Sequence, residues 1–405
     1  MASTSCNDLA GQLLACCLER GCWPDDLLDK LLAPECADAL FRVVIERLAD
    51  LFDPRLCDVY AEMFSQVIAR SVPELKARDL VARYRRIRRP RRFEGDAATI
   101  ETVFVLSRVT LGADVAITSV LLDAARQRFP RARIVLVGSR KSWELFAGRG
   151  IEHAPVSCLR TGSMRERLAP WTELARLLTQ PDSIVIDPDS RLTQLGLLPV
   201  CPEENYYFFE SRAYGSEGDD PLPVLAARWA HETFGVEQTL PWIAPAEKTA
   251  IPGTPLITMS FGVGENPAKR CSDPFEEQLV AHVAERGAFV LIDQGAGGEE
   301  AGRVAKAIAA SGAPPERVRS FCGSFSGFAS AIAQSDLYIG YDSAGQHVAA
   351  ACGIPLISIF AGFPSHRFCT RWRPWARGKT DVIKATATDP PAAVLHEVLN
   401  RLTRW

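Results

Sequence analysis

Residues 337–362 read LYIGYDSAGQHVAAACGIPLISIFAG, and this stretch restricts the possible folds more than any other. An apolar run, 337–341, ends in the polar cluster Asp342, Ser343, Ala344, Gly345, Gln346 and His347. A small-residue helical pattern follows, Gly353 and Pro355 stop it, and a second apolar run ends at Gly362. Strand, polar turn, short helix and strand make one βαβ unit, with its polar residues at the carboxyl end of the first strand. In an open parallel sheet, ligands bind at that end. A helix starting near Ser343 offers unpaired backbone N–H groups and the positive end of its dipole, which suits a phosphate. Ser343 is placed to cap the helix, Gly345 lets a ligand approach the backbone, and His347 falls on the first turn. Taken alone, the turn fits an ordinary capped helix with a satisfied histidine equally well.

The strand–helix alternation begins at Glu101. Strands are expected at 102–107 (TVFVLS), 134–137 and 183–186 (SIVI), with an amphipathic helix after the loop 108–114 (RVTLGAD). A proline-bearing connection, 213–255, holds one helix and leads to a second αβ domain that opens with LITMSF at 256–261. Its glycine-bearing turns are GVGENPAK at 262–269, followed by Arg270, and Gly295-Ala296-Gly297-Gly298, followed by Glu299 as a candidate ribose ligand. Asp187, Asp189 and Arg191 follow SIVI and suit either acceptor contact or turn capping. The aromatic stretch 203–212 suits an acceptor groove or a core.

Before residue 92 the pattern is helical throughout. Leu9, Leu13, Leu14 and Cys17 recur at helical spacing, as do Leu40, Val43, Val44, Leu48 and Leu51, and Pro24, Pro34, Pro54 and Pro73 separate the segments. The arginine run 83–92, RYRRIRRPRR, closes this part. It reads as a solvated hinge, or as a patch for anionic lipid or phosphorylated glycolipid at a membrane face. A net charge of −3, and the lack of aromatic platforms along a larger basic surface, argue against nucleic acid. No apolar run approaches the ~20 residues that span a bilayer, and MASTSCNDLA has no basic n-region before an apolar core. A cytoplasmic protein is expected. Twelve cysteines include six in the first 57 residues, without a C-x-x-C pair, so core thiols rather than a metal site are expected.

The 337–362 stretch resembles the carboxyl-terminal signature of glycosyltransferase family 9, the heptosyltransferases of lipopolysaccharide synthesis. That signature is a strand, Asp-(Thr/Ser)-Gly-x-x-His, a small-residue helix, Gly-x-Pro, a strand and an aromatic-rich tail. Asp342, Ser343, His347, Gly353-Ile354-Pro355 and the tail Arg371-Trp372-Arg373-Pro374-Trp375 match it. Ala344 stands where the family has glycine, with Gly345 one place later. Leu111-Gly112-Ala113-Asp114, with Phe129-Pro130 downstream, resembles the family's first turn, Ala113 being an extra residue. Lys269 matches the lysine that contacts the donor diphosphate, with Arg270 as a second cation.

The resemblance spans about residues 100–400 and implies an α/β fold of two facing Rossmann-like domains (GT-B type) behind an all-helical domain. The expected divisions are 1–95, 96–250 and 251–405, with a carboxyl-terminal helix crossing back onto the first sheet domain. It implies inverting, metal- and cofactor-independent transfer of a sugar from a nucleotide-diphosphate donor, ADP-heptose being the family's, to a glycan or glycolipid hydroxyl. Asp114 would be the base, at a strand's carboxyl end facing a cleft, although an N-cap role suits it too. Lys269, Arg270, Asp342, Ser343, Ala344, Gly345 and His347 would hold the donor, and Asp187, Asp189 and Arg191 the acceptor. Two rival readings are a protein acceptor bound by the helical domain, and a non-catalytic nucleotide-sugar-binding protein suggested by Ala113 and Ala344.

Overall fold

A computed structural model describes residues 5–159, 163–215, 218–264, 266–295, 297–375, 377–386 and 388–404. Glu265 and Ala296, in the two glycine-bearing turns, lie outside the described residues. The strands are β1 (Thr102–Leu106), β2 (Arg133–Gly138), β3 (Glu152–Pro155), β4 (Ser183–Asp187) and β5 (Tyr206–Phe208), then β6 (Leu256–Ser260), β7 (Phe289–Asp293), β8 (Val318–Phe321), β9 (Leu337–Tyr341), β10 (Leu356–Ala361) and β11 (Thr380–Ala385). They form two sheets, ordered β3-β2-β1-β4-β5 and β11-β10-β9-β6-β7-β8. Every described pairing is parallel. Both are doubly wound, with the strand order reversing between β1 and β4 and between β6 and β9. The unbroken apolar runs of β1, β4, β6, β9 and β10 are buried along their whole length, as a sheet covered on both faces requires. The sequence reading missed β3, β5 and β11. These strands lie at or beside sheet edges and are short or carry charged residues, so they lack the central strands' apolar signature.

The amino-terminal helices are one layer of the first sheet domain. Phe64, Val67 and Ile68 of the helix Pro54–Ser71 share a core with Phe104, Val135, Val185 and Phe208 of the sheet. The helices Ser119–Arg128 and Leu222–Phe234 cover the opposite face through Val120, Leu121, Ala226 and Trp229. A parallel sheet with one uncovered face would expose Val and Phe to water, and the helical segment removes that cost. Where free thiols were expected, Cys6 and Cys36 form a disulfide inside this layer.

The arginine run fastens the layer to the sheet. Arg83 is buried, donates to the Gly196 carbonyl at 2.7 Å and stacks on Tyr206. Arg85 pairs with Glu62, Arg86 with Glu203, and Arg88 with Asp58 and Glu210. Arg91 donates to the Glu203 and Glu204 carbonyls and lies over Tyr207. Five side chains of the run thus face inward or along the domain surface, which leaves little of the continuous basic patch that a lipid surface needs.

The second sheet has its own core with the helices Phe275–Ala284, Gly298–Ser311 and Pro391–Leu402. The last of these was expected to cross back onto the first domain. It stays instead, because Val394, Leu395, Val398 and Leu402 fill the second domain's core. The crossing is made by the helix His366–Trp372: Arg371 donates to the Asp220 carbonyl at 3.0 Å, and beyond the helix Arg373 reaches Asp219.

Glu210 carries the strongest test of the layered arrangement. It is 4% exposed, bonded to Tyr84, and 2.9 Å from Arg88. Arg88 keeps Asp58 and Arg212 keeps Asp189, so Glu210→Ala mainly leaves the buried Tyr84 hydroxyl without its acceptor and is expected to cost about 1–3 kcal/mol. Arg86→Ala, at an exposed pair, is expected to cost under about 1 kcal/mol. Urea unfolding of the two variants measures the difference.

Candidate active site

The helix Ala344–Cys352 begins where β9 ends, at the second sheet's switch point. Ser343 has extended N-cap geometry, but its side chain makes no capping hydrogen bond. Its Oγ is buried without a partner, as is the Tyr338 hydroxyl that lies against it. An unpaired hydroxyl beside free helix N–H groups is a polar cradle, and a phosphate oxygen satisfies both. Asp342 follows β9 directly and is 8% exposed. It accepts from Lys269 Nζ at 2.8 Å and from Gln346 Nε2 at 2.6 Å. Lys269 also sits 5.0 Å from the Phe368 ring centroid. His347 is buried, and burial pushes its imidazole down to about 4, with Lys269 acting in the same direction and Asp342 against it. It is therefore neutral near pH 7 and acts by hydrogen bonding rather than by charge.

Two glycines set this geometry. A methyl group on Gly345 would overlap the Tyr338 ring and hydroxyl, so the glycine displaced by one place from the family pattern is the one this packing needs. At Gly112, across the cleft, a Cβ would stand 3.3 Å from Ala344 Cα and 3.2 Å from His347 Cδ2. The loop after β1 therefore lies directly against the start of the second domain's helix.

That loop is held by Asp114. The carboxylate is fully buried and accepts from Ser107 Oγ (2.7 Å), the Arg108 N–H (2.7 Å) and Thr118 Oγ1 (2.8 Å). Burial raises its pKa, and these bonds oppose the rise. The expectation of a carboxylate facing the cleft is not met, because both oxygens are turned into their own loop. Ala113, the extra residue, is accommodated by a π-helical turn, Asp114–Thr118, which is wider than an α turn. Val109 takes a left-handed φ of 72°, rare for a β-branched residue, and its N–H donates to Ser107 Oγ. Arg108 bonds Ser211 and lies 6.0 Å from the Trp372 ring, bridging the two domains.

The acceptor candidates divide in the same way. Asp187 is buried and accepts from the Ser190 N–H, Thr193 and Tyr206 at 2.5–2.6 Å. Asp189 is buried against Arg212 at 3.0 Å. Both are held within the first domain, and Arg191 lies 3.9 Å from Glu46 of the helical layer. Arg270 is drawn away from the Lys269 site by Asp273 and Glu276. It lines instead a cavity of about 560 Å³ with Val263, Gly264, Cys271, Glu299 and Arg303. This cavity lies beyond β6 and β7, one and two strands from β9, or roughly 5–10 Å away at ordinary strand spacing.

Sequence reasoning missed the helical segment's share of the site. Phe52, in a left-handed conformation, is buried with its ring 6.3 Å from both Phe368 and Trp372. No pattern in the sequence linked residue 52 to residue 372. Among the described residues no group of three His, Cys, Asp or Glu is placed to hold a metal ion, and no helix is long and apolar enough to cross a membrane.

The family model of glycosyltransferase family 9 (heptosyltransferase) matches residues 271–394, which include the Asp342–His347 cradle and the aromatic tail. The carboxyl-terminal domain is similar to glycosyltransferase family 9 over that segment. Solved structures of the family agree in fold. A family 9 glycosyl transferase from Veillonella parvula aligns at TM-score 0.56 and 16% identity, over 78% of this chain and 100% of its own. E. coli heptosyltransferase WaaC with ADP aligns at 0.54 and 12%, over 74% and 99%. The E. coli ADP-heptose lipopolysaccharide heptosyltransferase II aligns at 0.50 and 17%, over 75% and 99%. No curated protein matches by sequence. The likeness in fold is to glycosyltransferases built on two Rossmann-like domains.

Gly345→Ala would force Tyr338 out of its place under the helix start. Overpacking of this kind costs about 1–3 kcal/mol. The variant is expected to unfold at lower urea than wild type, whereas Gly353→Ala, at a site with open space around it, is expected to suffer only backbone strain from its positive φ.

Proposed function

We propose that the chain transfers a sugar from a nucleotide-diphosphate donor, ADP-heptose first among candidates, to the hydroxyl of a glycan or glycolipid. The observation that carries this reading is the buried, unpartnered Ser343 Oγ at the helix start, with Lys269 beside it and the first domain's loop facing it. The donor diphosphate would lie on the helix N-terminus, drawing Lys269 from Asp342 to its oxygens. The nucleoside would extend into the cavity beyond β6 and β7, with Glu299 near the ribose. The leaving diphosphate gains charge as the glycosidic bond breaks, and a lysine with a helix dipole stabilises that charge without a divalent ion. Attack from the cleft side, opposite the bound diphosphate, inverts the anomeric centre. WaaC, a structural relative, is described with ADP and with ADP-2-deoxy-2-fluoro heptose, which supports an adenine nucleotide as the first donor to test.

Thermal shift with ADP, GDP and UDP and their sugars tests the donor assignment. ADP is expected to stabilise the protein saturably, with or without chelator. Loss of one charge-assisted contact is worth about 1.5–3 kcal/mol, so Lys269→Ala is expected to weaken ADP about tenfold or more. Stabilisation by none of these ligands would refute the donor site.

A further inference from the structure

The cavity beyond β6 and β7 carries two cations that the phosphate cradle leaves unused. Arg270 and Arg303 both line it, one following Lys269 in sequence and the other on the helix Gly298–Ser311. Between them lies Glu276, on the first turn of the helix Phe275–Ala284 and 2% exposed. Its Oε1 accepts from Arg270 Nε at 3.1 Å and from the Tyr341 hydroxyl at 3.3 Å, and its Oε2 accepts from Arg303 Nε at 3.3 Å. One buried carboxylate thus grips both guanidiniums at the same atom. Each is tied once more: Arg270 Nη2 bonds Asp273, and Arg303 Nη2 donates to the Phe261 carbonyl at 3.2 Å. The third nitrogen, Nη1, makes no hydrogen bond in either arginine among the described residues, and in neither is it buried. In Arg303 it stands 3.7 Å from the exposed Glu299.

The same carboxylate reaches the cradle. Tyr341 immediately precedes Asp342, and Arg270 immediately follows Lys269, so Glu276 holds the neighbours of both members of the Lys269–Asp342 pair. The Tyr341 hydroxyl also accepts from the Cys271 N–H at 3.2 Å, which joins the strand end and the lysine turn into one unit. A ligand seated on the helix start and Lys269, and extending past β6, meets the two arginines next.

We infer that Arg270 and Arg303 bind oxygen atoms of the nucleotide in this cavity, and that Glu276 is the positioning residue that aims them. The inference rests on the donor reading given above. A guanidinium only donates and keeps its charge, so what it takes from a nucleotide is a phosphate oxygen or a ribose hydroxyl oxygen. Held at Nε and Nη2, each side chain has already lost the freedom that binding would otherwise remove, so each contact is made at a smaller entropic cost. Two like charges lining one cavity repel, and the carboxylate between them offsets that repulsion.

Calorimetric titration tests this with the nucleoside diphosphate that wild type binds best, ADP being expected, and with its monophosphate and its nucleoside. Arg270→Gln and Arg303→Gln are each expected to weaken the diphosphate about tenfold or more, the worth of one charge-assisted hydrogen bond. Loss seen with the diphosphate and monophosphate but not with the nucleoside places the contacts on phosphate, and loss shared by the nucleoside places them on ribose. Glu276→Gln is expected to weaken the diphosphate by a like factor in wild type. In the variant that already lacks both arginines it is expected to change binding by less than about twofold, because it acts through them. A merely structural residue would show its full loss in both backgrounds, and that result would overturn the role of Glu276. If Glu276→Gln alone does not fold, as urea unfolding would show, the arginine variants decide the site. Binding by either arginine variant within about threefold of wild type would overturn that residue's assignment. Lys269→Ala, expected to be weakened in the same titration, shows whether the donor reading then stands. A wild type that binds none of ADP, GDP and UDP would remove the donor reading, and this assignment with it.

Discussion

Everything in the cleft depends on how closely the helix Ala344–Cys352 can approach its neighbours. Its first turn rests on Gly112 across the cleft and on Tyr338 beneath, at separations that leave no room for a further methyl group at 112 or 345 without movement. Val348 and Ala349 then join a hydrophobic core that continues into the first sheet domain through Val115 and Leu121. One short helix therefore packs its own sheet, seals the interface between domains, and presents its positive end to the cleft. Small residues meet these demands together, because a bulkier helix would hold the domains apart and withdraw the N–H groups from the loop that faces them.

The helical layer has a structural part in the same architecture. It covers a sheet face that would otherwise be wet, and arginines tie it down with bonds to carbonyls, carboxylates and aromatic rings. Because it is fixed at many points, its turn at 50–53 can be aimed into the cleft with little freedom. The strained backbone of Phe52, Val109 and Asp189 clusters around that cleft, where the surrounding hydrogen bonds and ring contacts hold it.

Much of the fold was legible in the sequence. The apolar runs of β1, β4, β6, β7, β9 and β10, each ending in polar or glycine-bearing turns, announced two parallel sheets. The cradle at Asp342–His347 was legible because its chemistry is local: a strand end, a cap and a helix start adjoin in sequence. Lys269 was legible by resemblance, and the structure brings it to Asp342 at 2.8 Å. β3, β5 and β11 were not: β5 is only three residues long, and the part-exposed β3 and β11 have no unbroken apolar signature. The last helix was placed on the wrong domain because amphipathicity reveals that a face will be buried, but not against what.

The local periodicity of the sequence determined which segments are strands and helices, and its turn chemistry determined where a phosphate can be received. Tertiary structure alone decided which acidic groups are open to the cleft. Asp114, Asp187 and Asp189 each follow a strand as a cleft carboxylate should, yet hydrogen bonds and an arginine from residues near and far turn them inward. Phe52 carries no mark in its neighbourhood of sequence and still meets Phe368 and Trp372, because contacts depend on what the folded chain places around a group, not on what adjoins it in sequence.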